Sequence, residues 1–245
     1  MRKIFYILSL TLLWGCAELT AVIDAYDTSA PLTENEVANG LKEALRVGTD
    51  SASSRLGHTN GYYGDELVRI ALPKEADIIV KNASRIPGGD KVIEDVVKHI
   101  NRAAEDAAKE AGPVFWSAIK GMSITDAFNI LNGENDAATQ YLKTSTYDEL
   151  FKLYNPKIQA SLDKEIAAGV SPNVSWETLT SKWNMIADNP LGQMAGLNTV
   201  NVDLDAYLTE QALNGLFIKI AEEEAHIRKD PMARVNDILK RVFGS

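Results

Sequence analysis

DKVIEDVVKHINRAAEDAAKEA, residues 90–111, decides the fold class of this chain. Apolar residues recur at helical spacing through Val92 or Ile93, Val96, Val97, Ile100, Ala103, Ala104, Ala107 and Ala108, with charges on the other face. That period of about 3.6 defines an amphipathic α-helix. In its second half the buried face narrows to alanine alone, which lets a neighbouring helix approach closely. Pro87-Gly88-Gly89 breaks the chain before this segment, Asp90 is read as its cap, and Gly112-Pro113 stops it and starts another helix.

The same grammar extends in both directions. Thr33-Glu34-Asn35-Glu36 is a capping box, followed at helical spacing by Val37, Leu41, Ala44, Leu45, Gly48, Ala52 and Leu56, with Gly57 as the stop. Leu67–Leu72 is a short apolar segment, and Pro73 opens the next helix. Ser123–Asp126 and Thr146–Glu149 read as further capping boxes, and Pro156 restarts or kinks the helix carrying Ile158, Leu162 and Ile166. Ser175 is read as the cap of a helix bearing Trp176, Leu179, Trp183 and Ile186, and Asn189–Val202 as the longest irregular stretch. Asp203 or Asp205 opens a helix to about Lys229, and Asp230-Pro231 caps the last one. No period-2 strand and no repeat is present in the sequence. The expectation is an all-α, single multi-helix domain of roughly eight to ten helices over residues 33–245, given helices of about 11 residues.

Ahead of that domain, Arg2 and Lys3 precede the apolar run Ile4–Trp14, and Gly15 is followed by Cys16, the sole cysteine. Charged, apolar and small residues in that order make an export signal. A transmembrane helix takes about 20 apolar residues, and Ala17-Glu18 closes the run well short of this. Residues 1–15 resemble a bacterial lipoprotein signal peptide, with Cys16 as the lipidation site and residues 16–32 as a tether to the folded domain; the alternative is an ordinary cleaved signal with a coincidental cysteine. The address implied is the bacterial cell envelope, lipid-anchored and facing the periplasm. Ala17 in place of an aspartate favours the outer membrane.

Loss of the leader removes two of the 25 basic residues and none of the 34 acidic ones, leaving a net charge of −11. Nucleic acid is disfavoured as a partner, because its binding depends on cations neutralising phosphates. With Cys16 lipidated, the folded part has no disulfide and no thiolate chemistry.

Glu222-Glu223-Glu224-Ala225-His226 is the most suggestive cluster. Glu223 and His226 have the Glu-x-x-His spacing of di-iron carboxylate bundles, which makes them metal candidates. A second such pair is missing, since Val96 stands three residues before His99. The simpler reading is a solvated face with i,i+4 pairs of Glu222 with His226 and Glu224 with Arg228. Asn201-x-Asp203-x-Asp205 imitates the start of a calcium loop, but Ala206 and Ala212 replace the required glycine and glutamate. The acids and amides of Asn132–Asp136 read as a helix-joining turn with Glu134 or Asn135 near the cap. Arg69, between Val68 and Ile70, is expected to be buried against a carboxylate. Tyr62 and Tyr63, in a loop flanked by Gly61 and Gly64, are the expected contact surface. No nucleophile elbow, phosphate loop, dinucleotide fingerprint or zinc helix appears, so no cofactor is expected.

From about Val37 to Gly244 the chain resembles a bacterial family catalogued as domain of unknown function 4197. The residues carrying the resemblance are GLKEALRVGTDSASSRLG (40–57), VRIALP (68–73), INRAAEDAAKEA (100–111), AIKGMSITDAFNILNGENDAATQYLK (118–143) and the C-terminal segment 203–244. The resemblance implies a helical, exported, envelope-associated protein and brings no catalytic residues. The functional expectation is a non-enzymatic envelope lipoprotein that binds a protein partner or an amphipathic small molecule. The alternative is a carboxylate- or metal-dependent enzyme centred on Glu222, Glu223 and His226.

Overall fold

In the computed structural model the alanine face of residues 103–108 lies fully inside, as its spacing predicts: Ala103, Ala104, Ala107 and Ala108 are all buried. The structure describes residues 32–82, 89–164, 171–230, 240 and 242. Among these are nine α-helices and no strand. They are α1 (Glu34–Gly57), α2 (Asp77–Asn82), α3 (Gly89–Ala108), α4 (Ala111–Gly121), α5 (Ile124–Leu131), α6 (Ala137–Leu162), α7 (Pro172–Ala187), α8 (Pro190–Met194) and α9 (Leu204–Lys229). A 3-10 turn, Lys74–Ala76, leads into α2, with Pro73 at its N-cap. Glu34–Ser245 form one compact unit. The expected signal peptide, Cys16, nearly all of the expected tether and the start of the helix expected after Asp230 lie outside the described residues.

Four long helices make the bundle. α1 and α6 each pack against both α3 and α9, and the short α4 and α5 also bridge α1 to α6. The core runs continuously through Leu41, Ala52 and Leu56 of α1, Ile100 of α3, Phe115 of α4, Leu142, Leu150 and Ile158 of α6, and Leu208, Leu213 and Leu216 of α9. Phe115 meets Phe217 edge-on, with ring centres 6.0 Å apart. Burying a Leu, Ile or Phe side chain contributes about 1.5–3 kcal/mol, so this core accounts for stability in a chain whose folded part has no cysteine.

Several helix starts follow the sequence. Ser123 and Asp126 form a reciprocal capping box at α5, and the Asp203 carboxylate accepts the Ala206 amide at α9. Others do not. Thr146–Glu149 lie inside α6, where the Thr146 hydroxyl donates to the Leu142 carbonyl instead of capping. Pro156 also falls inside α6, which continues through it to Leu162. The cap of α7 is Ser171, whose hydroxyl accepts the Val174 amide, with Pro172 in the first turn; Ser175 is already helical. Asp90 is likewise within the first turn of α3, which begins at Gly89.

The N-terminus of α6 shows why a local reading misses a cap. Asp136 occupies the N-cap position but makes no side-chain capping bond. The buried Glu224 carboxylate of α9 takes that role, accepting the Ala138 amide (3.0 Å), the Thr139 amide (2.9 Å) and the Thr139 hydroxyl (2.8 Å). Arg228, one turn on, donates to Glu224 and to the Ile130 and Leu131 carbonyls at the end of α5. One buried ion pair therefore complements the positive end of α6 and the negative end of α5.

Candidate interaction surface

The loop between α1 and α2 was the expected contact surface, and it faces mostly inward. Tyr62 is fully buried, with its hydroxyl donating to the Ala212 carbonyl at 2.7 Å. Burial pushes its phenol well above the ordinary tyrosine range. Its ring lies against Gly215 of α9, where an added Cβ would stand 2.8 Å from Cε1. The Tyr62 and Tyr63 amides both donate to buried Glu105, which also pairs with Arg102. Asn101, fully buried, accepts the Ile70 amide at 2.9 Å and donates to the Ile70 carbonyl at 2.8 Å, standing in for a neighbouring strand. Lys219 of α9 bridges Asp65 (2.7 Å) and Glu222 (2.9 Å). That ammonium holds the Asp65 carboxyl below its usual range.

Tyr62 is thus a core residue, and only Tyr63 reaches the surface. Arg69 is exposed and not buried, with its guanidinium 4.3 Å from the Tyr63 ring centre. The turn in which the Val68 and Arg69 amides both donate to the Asp65 carbonyl leaves Val68 and Ile70 buried and Arg69 exposed, so no buried carboxylate is needed for it.

The acids and histidine of α9 are separated by the helix they share. Glu222 pairs with Lys219, Glu223 with Arg55 of α1, Glu224 with Arg228, and His226 with Asp230 at 3.2 Å. The expected Glu224–Arg228 pair is present, while Glu222 turns to Lys219 and away from His226. The face is not simply solvated, because Glu223 and Glu224 are buried. Among the described residues no group of three or more His, Cys, Asp or Glu side chains is placed to hold a metal ion. Beside Glu224 and Arg228, an apolar cleft between α1 and α9 lined by Leu41, Leu45, Ile220 and Ile227 encloses about 20 Å³. That is room for about one water molecule.

The outward-facing apolar surface is elsewhere. Met185 (76% exposed), Ile186 (52%), Leu191 (77%) and Met194 (85%) gather at the corner where α7 turns into α8. Apart from each other, neither helix has an extensive helical neighbour. Trp176 buries the near end of α7 in the core, and the half-buried Trp183 packs against that core. The far end is held by polar bonds. The Trp183 indole donates to the Asn198 carbonyl at 2.9 Å. Asn184 accepts the Val200 amide at 2.8 Å and donates to the Val200 carbonyl at 3.0 Å. Asn189 caps α8 by accepting the Gly192 amide, and a Cβ at Gly192 would stand 2.1 Å from the Ile186 carbonyl oxygen. Only glycine fits that turn. The corner is therefore an ordered platform bearing four large apolar side chains.

The sequence carries a signal for this platform that helix grammar overlooks. From Trp183 to Val202 the one charged residue is Asp188, in a chain that is 24% charged. A family model described as protein of unknown function (DUF4197) matches residues 31–244, nearly the whole described domain. The chain belongs to the DUF4197 family. No curated protein and no solved structure matches it. No helix among the described residues is long and apolar enough to cross a membrane.

Proposed function

We propose that this DUF4197 protein is a non-enzymatic binding module of the bacterial envelope, lipid-anchored through Cys16 and facing the periplasm. It docks a protein partner through the α7–α8 corner. The observation that carries this reading is the exposure of Met185, Ile186, Leu191 and Met194 on a hydrogen-bonded scaffold. Ordered apolar clusters on a surface mark interaction sites, and methionine is enriched in protein interfaces. A protein is favoured over a membrane surface because a membrane-binding helix needs basic residues beside its apolar face. Lys182 is the lone cation between Ser171 and Val202, in a chain of net charge −9. A protein is favoured over a small molecule because the apolar cleft beside Ile220 and Ile227 is too small for one. The lipid anchor rests on the order of Arg2-Lys3, apolar run and Cys16, and the outer membrane on Ala17. The acids of α9 lend no support to a carboxylate or metal enzyme, each being paired with a different cation or capping an adjacent helix.

A photo-reactive residue at Met194, in the full chain expressed in its own host, tests the docking surface. The expected result is a discrete adduct whose mass differs from twice that of the chain, absent when the probe sits at exposed Glu94 and lost with Leu191→Glu. Adducts that are equal at both positions contradict the reading, and an adduct of two copies of the chain reassigns the occupant. The anchor is tested by Cys16→Ser, which is expected to abolish acylation and membrane-pellet fractionation while leaving the helical signal unchanged.

A further inference from the structure

On a different face, the ends of α1, α3 and α6 enclose a polar cleft of about 260 Å³. Arg102, Lys109, Lys157 and Lys164 line it, with the hydroxyl residues Thr59 and Ser161. The acids in its wall are Glu105 and Asp106, so cations outnumber acids there while the chain as a whole has 25 basic residues against 34 acidic. Glu105 is buried and already holds the Tyr62 and Tyr63 amides and Arg102. Asp106 accepts from Lys109 at 2.8 Å, and that bond, with the charges of Lys109, Lys157 and Lys164, keeps its carboxyl below the usual range. Glu110 pairs with Lys157 at the rim. Beyond Arg102 the same positive strip continues over Tyr63 to Arg69, both guanidiniums lying within 5.8 Å of the ring centre.

We infer that this cleft binds an oxyanion, a phosphoryl or carboxylate group of headgroup size. Three segments converge four cations on one concavity, and Glu105, Asp106 and Glu110 pair with Arg102, Lys109 and Lys157, which leaves a local positive excess that an anion in the cleft balances. The volume falls below the roughly 300 Å³ at which drug-sized sites begin, which suits a small charged group. Arginine, lysine and hydroxyl donors are the set that recognises phosphate and carboxylate oxygens. Such a group could arrive as a free anion or on an anionic lipid.

Isothermal titration of inorganic pyrophosphate into the full chain in neutral detergent, at low ionic strength, tests the site. Saturable binding is expected, weakened about tenfold or more by Lys157→Gln with Lys164→Gln, as befits loss of two charge-assisted contacts. Lys182→Gln, on α7, is expected to leave it unchanged. Ser161→Glu places a carboxylate in the cleft without removing a cation and is expected to weaken binding similarly, should the double variant misfold. Doping the micelles with phosphatidylglycerol separates the sources: a headgroup ligand competes with pyrophosphate, whereas a free-anion site is indifferent to the lipid. No saturable binding, or equal binding by the wild type and the folded cleft variants, overturns the inference.

Discussion

Two stretches of this molecule that break the long-helix pattern, the loop His58–Leu72 and the segment Trp183–Val202 with its short α8, behave oppositely. Both carry two glycines and both hold aromatic or large aliphatic residues. The first turns its aromatic residue inward onto Gly215 and ties its backbone to Glu105 and Asn101. The second ties its backbone to Asn184 and Trp183 and turns its apolar side chains outward. What separates them is where the charged partners are. The first loop meets Glu105, Arg102 and Lys219 from neighbouring helices, whereas the second is held through the neutral side chains of Trp183, Asn184 and Asn189. An aromatic between glycines is therefore poor evidence of a contact surface, and a long run without charge is better evidence.

The largest effect expected from breaking this contrast is at Tyr62. Tyr62→Ala empties a fully buried site and orphans the Ala212 carbonyl of its side-chain donor, at a cost of about 3–5 kcal/mol in chemical denaturation. A loss below about 1 kcal/mol would mean that the loop is not part of the core. Asn101→Leu comes next, expected to cost about 2–3 kcal/mol because the Ile70 amide and carbonyl both lose their buried partner. Amide exchange at Ile70 is the sharper readout there and is expected to become fast.

A smaller effect is tied to pH. The Asp65 carboxyl is depressed by Lys219, so the stability from this bridge is present above the ordinary carboxylate value of 3.8 and is lost as pH falls through the depressed folded value. The Lys219 ammonium is raised, so its share is lost only as pH climbs above 10.5. Asp65→Asn is expected to lower stability at neutral pH by less than about 1 kcal/mol, the carboxylate being partly exposed and screened. The variant's acid unfolding limb is expected to be shallower than the wild type's. An unchanged limb would show that the bridge does not anchor the loop. Smallest of all, Leu191→Ser and Met194→Ser are each expected to change stability by no more than about 0.5 kcal/mol. A larger loss would place these side chains in the core and erase the contrast.

How far the sequence reveals this molecule follows from how local each interaction is. Helices were legible wherever the period and the cap lay within a few residues, as at Ala103–Ala108, Ser123–Asp126 and Asp203. Thr146–Glu149 misled because a capping box is also compatible with a helix interior once Leu142 can accept the hydroxyl. The cap of α6 was hidden because Glu224 lies 85 residues from Thr139. For the same reason Tyr62 looked exposed: its cradle is Gly215, and its hydroxyl partner is 150 residues away. Arg69 was misplaced by its apolar neighbours: Val68 and Ile70 are buried, while the turn on Asp65 leaves the guanidinium outside, over the Tyr63 ring. The α7–α8 corner was missed, Asn189–Val202 being expected to be irregular where α8 in fact forms, because its signal is missing charge, a property of a window and not of a motif.

The central claim is that the corner faces outward in the free protein and is covered in the envelope, and methionine oxidation tests it most directly. Dilute hydrogen peroxide converts accessible methionine to its sulfoxide, and mass spectrometry reads each site. In purified chain, Met185 and Met194 are expected to oxidise well ahead of buried Met122. In intact host envelopes both are expected to be protected, with protection lost in Leu191→Glu. Equal oxidation of Met185 and Met194 in purified chain and envelope would contradict the account.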